Sequence, residues 1–174
     1  MLLYLFALEQ EGEAHLGKKP IAAGVQYFPA RVPYVTLDGA DEDDTTERQK
    51  LWRRKGLLLS DELSLAAMDP QEKMPTLCCS RKKDGTLSGD LATREQLRQL
   101  RIYIFDVLSS MVEDIATGVV EPNPYTRGTS HNACAFCPYD AVCHQSSVQG
   151  RRNYKAMSSQ RFWEEIEKVV KNRG

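Results

Sequence analysis

Three thiols stand within ten residues, Cys134, Cys137 and Cys143, in the spacing C-x2-C-x5-C. Two cysteines separated by two residues can aim both sulfurs at one ion from a tight turn, and a third returns about a helical turn later. The spacing points to a metal or cluster held by thiolates; the plainer reading of the same residues is a set of buried small hydrophobes. Thiolates suit zinc and iron–sulfur clusters alike, so two sites compete. In a zinc site the fourth ligand is His131, a better-placed candidate than His144, which directly follows Cys143. In a cluster the fourth ligand is another cysteine. Cys78 and Cys79 are adjacent and lie in a polar stretch, which fits ordinary thiols better than ligands. A fourth ligand outside this chain is the remaining alternative.

Other residues could bear chemistry but carry plainer readings. The acids from Asp38 to Asp44 lack the alternation and closing Glu of an EF-hand loop and read as a solvated cap. Arg53-Arg54-Lys55, Arg81-Lys82-Lys83 and Arg151-Arg152 could contact phosphates, although short basic clusters are usually solvated surface. Phe136 and Tyr139, inside the cysteine motif, could stack on bases; packing against the metal site is the preferred expectation. No P-loop, Gly-rich dinucleotide turn or Gly-x-Ser-x-Gly elbow occurs, so no motif for cradling nucleotide phosphates or presenting a serine nucleophile marks this segment.

The elements that position these residues follow from periodicity and punctuation. Leu2, Leu3, Leu5, Phe6 and Leu8 read as a buried helix ending near Gly12. Ile21 to Phe28 reads as a buried strand that Pro29 terminates, and Val32 to Leu37 as a second strand. The acids that follow favour a helix over Thr45 to Lys55, stopped by Gly56. Leu57 to Leu59 form a short apolar segment, and Asp61 to Met68 one more short helix before Pro70. Asp69 to Gly89 has few apolar residues and reads as a mobile loop. The clearest helix spans Thr93 to Thr117, with Leu97, Leu100, Ile104, Val107, Leu108, Met111 and Ile115 at helical spacing. Thr93 and Gln96 make a capping-box pair, Gly118 supplies the stop, and Pro122 and Pro124 forbid continuation. Phe162, Ile166, Val169 and Val170 mark a terminal amphipathic helix.

Composition narrows the classes. With 174 residues, 41% hydrophobic and 27% charged, the chain is one domain's worth of globular protein, which excludes wholesale disorder. Lys and Arg number 23 against 24 Asp and Glu, so the strongly basic footprint of a free-standing nucleic-acid binder is absent. The apolar start, Met1 to Leu8, is too short for a bilayer and lacks a signal peptide's basic region and cleavage site. An intracellular, cytoplasmic location is expected, with no membrane partner and thiols kept reduced. An opening in mid-core, with no cap or turn before the helix, points to a piece of something longer.

The order Arg54-Lys55-Gly56-Leu57-Leu58-Leu59, Ala67-Met68-Asp69, the long helix, Gly118-x3-Pro122-Asn123-Pro124-Tyr125 and the three cysteines resembles the C-terminal end of the AddB family. These are second subunits of a bacterial ATP-dependent helicase/nuclease that processes double-strand breaks. The resemblance covers nearly the whole chain, and the cysteine motif is its most specific part. It implies an α/β fold, the back half of a restriction-endonuclease-like PD-(D/E)xK nuclease domain, ending in a cysteine-bound helical segment. It implies that Cys134, Cys137 and Cys143 are three ligands of a [4Fe–4S] cluster whose fourth cysteine lies far upstream. The family's carboxylates and lysine bind Mg²⁺ and activate water for phosphodiester hydrolysis. This chain contains no Asp-x-Lys or Glu-x-Lys, so the central metal motif is missing. Of the family's Gln-x3-Tyr motif only the tyrosine can be placed, at Tyr4, as a supporting residue of the catalytic site; a packed helix tyrosine is the plainer reading. The chain is thus expected to begin just after the catalytic core.

Three parts are expected: residues 1–128 as the nuclease portion, 129–145 as the iron–sulfur cysteine segment and 146–174 as the terminal helix. The resemblance further implies action on double-stranded DNA ends in recombinational repair, in a heterodimer with the AddA protein. The alternative from a different class is a stand-alone zinc-binding module that recognises nucleic acid or protein and catalyses nothing.

Overall fold

Three consecutive leucines become the middle of a sheet. Lys55–Leu59 forms strand β2, flanked by β1 (Gly24–Tyr27) and β5 (Leu91–Ala92) in the order β1-β2-β5. The computed structural model describes residues 1–31, 51–121, 123–128, 131–143 and 152–172. The expected strand at 32–37, the acids 38–44 and the helix residues 45–50 lie outside the described residues. Leu51 is helical, but Lys55 is already in the strand, so the helix expected to reach Lys55 ends earlier. The chain divides into two units, Met1–Ile104 and Phe105–Gly174.

In the first unit, helix α1 (Leu2–Glu11) ends at Gly12, and a single turn, α2 (Glu13–Leu16), follows. The helix is present as expected but is not buried: only Phe6 is, while Leu3, Tyr4 and Leu8 are exposed. Strand β1 pairs antiparallel with β2, Gly24 opposite Leu58 and Tyr27 opposite Lys55. Among the described residues β2 is its one neighbour, and none of its own residues is buried, which corrects the expectation of a buried strand. Glycine is required at the crossing: a Cβ on Gly56 would lie 2.0 Å from the Val25 carbonyl oxygen.

Strand β2 pairs parallel with β5, Leu58 opposite Leu91 and Leu59 opposite Ala92. Parallel neighbours need a long crossover. Here it contains α3 (Glu62–Met68) and a hairpin of β3 (Cys79–Arg81) and β4 (Leu87–Gly89). Helix α3 starts where Asp61 accepts hydrogen bonds from the Ser64 N–H (2.9 Å) and hydroxyl (2.6 Å).

The stretch from Asp69 to Gly89, expected as a mobile loop, is the heart of the core. Met74, Leu77, Cys78 and Cys79 are buried with Leu58 and Leu65, and Met68, Leu87 and Leu91 pack against them. The segment has few apolar residues, but these are the ones the fold turns inward. The buried Asp69 carboxylate organises the turn, accepting from the Gln71 N–H (3.1 Å), the Thr76 N–H (3.3 Å) and the Thr76 hydroxyl (2.8 Å).

Helix α4 (Arg94–Ala116) matches its sequence signals closely. The Gln96 side chain accepts from the Thr93 N–H at 2.8 Å and the Thr93 hydroxyl accepts from the Gln96 N–H at 3.1 Å, a complete capping box. Gly118, at φ 73°, provides the left-handed residue beyond its end. Its apolar stripe is buried only at Leu97 and Leu100; Met111 and Ile115, farther along, are exposed.

In the second unit, β6 (Tyr125–Arg127) pairs antiparallel with β7 (His131–Asn132) and parallel with β8 (Arg152–Asn153). One helical turn, α5 (Asp140–Cys143), carries the third cysteine. The terminal helix α6 (Ser159–Lys171) buries Ile166, with the Ser158 hydroxyl accepting from the Arg161 N–H at 3.3 Å. Helices and small mixed sheets make the fold α/β, and no helix among the described residues is long and apolar enough to cross a membrane.

Candidate metal centre

The strand β7 leads directly into the cysteine segment. Asn132 accepts from the Cys134 N–H through its side-chain oxygen (2.9 Å), which turns the chain out of the sheet. The Cys137 N–H then donates to the Cys134 carbonyl at 3.1 Å, closing a four-residue turn with a thiol at each end. Cys143 sits at the end of α5, its N–H bonded to the Tyr139 carbonyl at 2.9 Å. Cys134 and Cys137 are half-buried, Cys143 is exposed, and all three are free thiols.

Three thiols on one short segment fit the all-sulfur donor set of an iron–sulfur cluster, and the turn joins the first two in the two-residue spacing such sites use. They do not by themselves make a closed cage: among the described residues no group of three His, Cys, Asp or Glu side chains is gathered to hold an ion. His131, the candidate fourth ligand of a zinc site, lies in β7 and joins no such group. His144 and Arg151 lie outside the described residues.

Cys78 and Cys79 belong to the first unit and are core residues at the start of the hairpin, not occupants of a polar loop. Cys78 donates weakly to the Asp90 carbonyl, at 3.8 Å. Burial pushes its thiol up to about 11, and burial likewise raises Cys79. Both are protonated near neutrality, which does not suit nucleophilic attack. A thiol raised on folding stabilises the native state while it is protonated. That contribution is full below the ordinary value of 9.0 and is lost as pH climbs through about 11. The urea midpoint is therefore expected to fall between these values, and Cys78→Ala to flatten that part of the profile. An equal decline in the variant would contradict the assignment.

Tyr4 is 69% exposed on α1, so its ring is not packed as the plainer expectation had it. Phe136 is 98% exposed and Tyr139 70%, which corrects the expectation that these rings pack against the metal site. Among the basic clusters, Arg81 is engaged by Glu62, with one guanidinium nitrogen 3.0 Å from the carboxylate. That hydrogen bond lowers Glu62 and raises Arg81 from their ordinary values. Arg53 donates to the Leu77 carbonyl at 3.1 Å, and Arg54 lies over the Phe28 ring at 5.4 Å. These arginines hold the fold together as much as they face solvent.

The sequence reading missed a groove beside the cysteine turn. Tyr125 and Tyr154 meet edge to face, ring centroids 5.8 Å apart, and with Phe136 and Lys155 they line a cleft of about 770 Å³. The signal was an aromatic next to or one residue from a base, Tyr125-x-Arg127 and Tyr154-Lys155, split across a sheet.

The profile of the PD-(D/E)XK nuclease superfamily matches residues 1–144. The chain is 33% identical over 98% of its length to an ATP-dependent helicase/deoxyribonuclease component, of the B type, from Clostridium kluyveri, covering 16% of that protein. It is 30% identical over its full length to a protein of the same name from Thermoanaerobacter sp., again covering 16%. A third of that name, from Oceanobacillus iheyensis, is 30% identical over 89% of the chain and 14% of its own length. The chain thus spans about one-sixth of the relatives it matches.

Proposed function

Because the chain belongs to the PD-(D/E)XK nuclease superfamily, we propose that it is the C-terminal portion of the nuclease domain of a helicase/deoxyribonuclease protein of the AddB kind. The observation that carries this reading is coverage: 98% of the chain aligns with such a protein, from the first helix through the cysteines. The parent acts on double-stranded DNA ends in recombinational repair, in the bacterial cytoplasm, beside an AddA partner. Its catalytic carboxylates and their Mg²⁺ belong to sequence upstream, since no Asp-x-Lys or Glu-x-Lys occurs here.

Within that machine the chain's task is structural. Cys134 and Cys137 present two thiols from one turn, and Cys143 a third from the end of α5. All three lose their protons on ligation. A bound [4Fe–4S] cluster supplies cross-links that tie this segment to a fourth cysteine upstream. Tyr4, exposed on α1, takes the last place of the family's Gln-x3-Tyr motif as a supporting residue of the catalytic site.

The test is iron and sulfide analysis with a visible spectrum, on anaerobically purified chain beside a form extended upstream through the catalytic motifs. The extended form is expected to be brown, with about four irons, as the cluster stoichiometry demands, and to lose them with Cys134→Ala, Cys137→Ala or Cys143→Ala. It is also expected to cut DNA with Mg²⁺, while the 174-residue chain does not. Mg²⁺-dependent cleavage by the short chain, or one tightly held zinc that depends on His131, would overturn the reading.

A further inference from the structure

We propose that the cleft beside the cysteine turn is a binding site for single-stranded DNA, which stacks its bases on Phe136 and Tyr154 and lays its phosphates along Arg127 and Lys155. This rests on the DNA-processing reading above and adds a surface that the cluster and the catalytic carboxylates do not account for.

The sheet builds the cleft. Tyr125 and Arg127 are two residues apart on β6 and so share one face. The Tyr154 N–H donates to the Thr126 carbonyl at 2.9 Å, continuing the β6–β8 ladder and fixing where the Tyr154 ring leaves the backbone. That ring is braced edge-on by Tyr125. The Cys134–Cys137 turn adds Phe136 to the lining and leaves its ring in solvent, and Met157 lines the cleft as well. Phe136 is 98% exposed on the turn that carries Cys134 and Cys137, so its ring is open to a ligand in the cleft it lines.

Charge selects the occupant. Arg127 and Lys155 line the cleft, and none of the described residues lining it is acidic, although the chain as a whole is balanced at −1. Exposed rings interleaved with cations in an open groove match the bases and backbone of a single strand. A duplex keeps its bases stacked inside and offers the rings no face. The missed sequence signal has the same form: aromatic and basic residues alternate on β6 and after β8.

Fluorescence anisotropy of labelled dT15 with the full chain tests it. Phe136→Ala is the main variant, because a ring this exposed supports no packing. It is expected to weaken dT15 binding about five- to a hundredfold, the range for losing one base stack, with Phe136→Trp restoring it. Lys155→Gln is expected to reduce the slope of log K against log salt by about 0.7, one phosphate contact on a single strand. Unchanged dT15 affinity in Phe136→Ala would overturn the site, as would tighter binding of a 15-base-pair duplex or of rU15. The nuclease reading fails separately, by absence of iron and cleavage in the extended protein, so the two outcomes are distinguishable.

Discussion

Leu58→Ala is expected to lower the unfolding free energy of the first unit by about 2–5 kcal/mol, the usual cost of emptying a leucine site in a closed core. Leu58 is fully buried in the middle strand of its sheet, opposite Gly24 on one side and Leu91 on the other. It belongs to the cluster with Leu65, Met74, Leu77, Cys78 and Cys79. The site cannot collapse readily, because its neighbours are fixed by backbone pairing on both edges and by a close glycine crossing at Gly24, where a Cβ would come 2.7 Å from the Leu58 Cα. Urea unfolding followed by circular dichroism measures the change. A loss below 1 kcal/mol, roughly that of a site free to relax, would mean the core is looser than its packing implies. By contrast Leu63→Ala, one of the most exposed apolar positions at 82%, is expected to shift stability by no more than about 0.5 kcal/mol.

Asp69→Ala is expected to cost about 2–4 kcal/mol, because it strands three donors at once. The carboxylate receives the Gln71 N–H, the Thr76 N–H and the Thr76 hydroxyl, and it is itself buried. These bonds tie the end of α3 to the chain that carries Met74 and Leu77 into the core. Asp69→Asn keeps one accepting oxygen and retains the Thr76 bonds while losing the one to Gln71, so its loss is smaller, about 1–2 kcal/mol. Equal stability of Asp69→Ala and wild type by denaturant midpoint would show that water replaces the carboxylate at no cost. The distinction bears on function, because Asp69 lies in one of the stretches that resemble the nuclease family. A carboxylate there invites a catalytic role, yet its bonds are those of a turn-former. An Asp69→Ala defect in the extended protein is therefore expected to appear first as lost fold, in contrast to the loss of iron proposed for Cys134→Ala.

Local signals were legible in the residues themselves. The capping box of Thr93 and Gln96, the stop at Gly118, the Asp61 start of α3 and the amphipathic terminal helix each depend on contacts within a few positions, so type and spacing suffice. The superfamily, too, could be read from the order of short motifs, since motif order survives without knowledge of the contacts. The cysteine spacing marked a tight turn, and the backbone hydrogen bond from the Cys137 N–H to the Cys134 carbonyl has that form.

What the sequence could not decide were the pairings between distant segments. The stretch from Asp69 to Gly89 has the composition of a loop. It becomes core because a hairpin needs only three residues per strand and a parallel crossover must pass over β2. The strand ending at Pro29 looked buried from its apolar run, but burial depends on what covers the faces of the sheet, and among the described residues nothing closes over β1's own side chains. The helix beginning at Leu2 and the far end of α4 carry apolar faces that the described residues leave exposed, because a periodic pattern records that a face wants a partner and not where the partner is. The aromatic cleft has the same origin. Tyr125, Phe136 and Tyr154 span thirty sequence positions and become one surface only when β6 pairs with β8 and the cysteine turn folds beside them. Hydrogen bonding across a sheet is non-local, and tertiary structure alone sets which residues it makes neighbours.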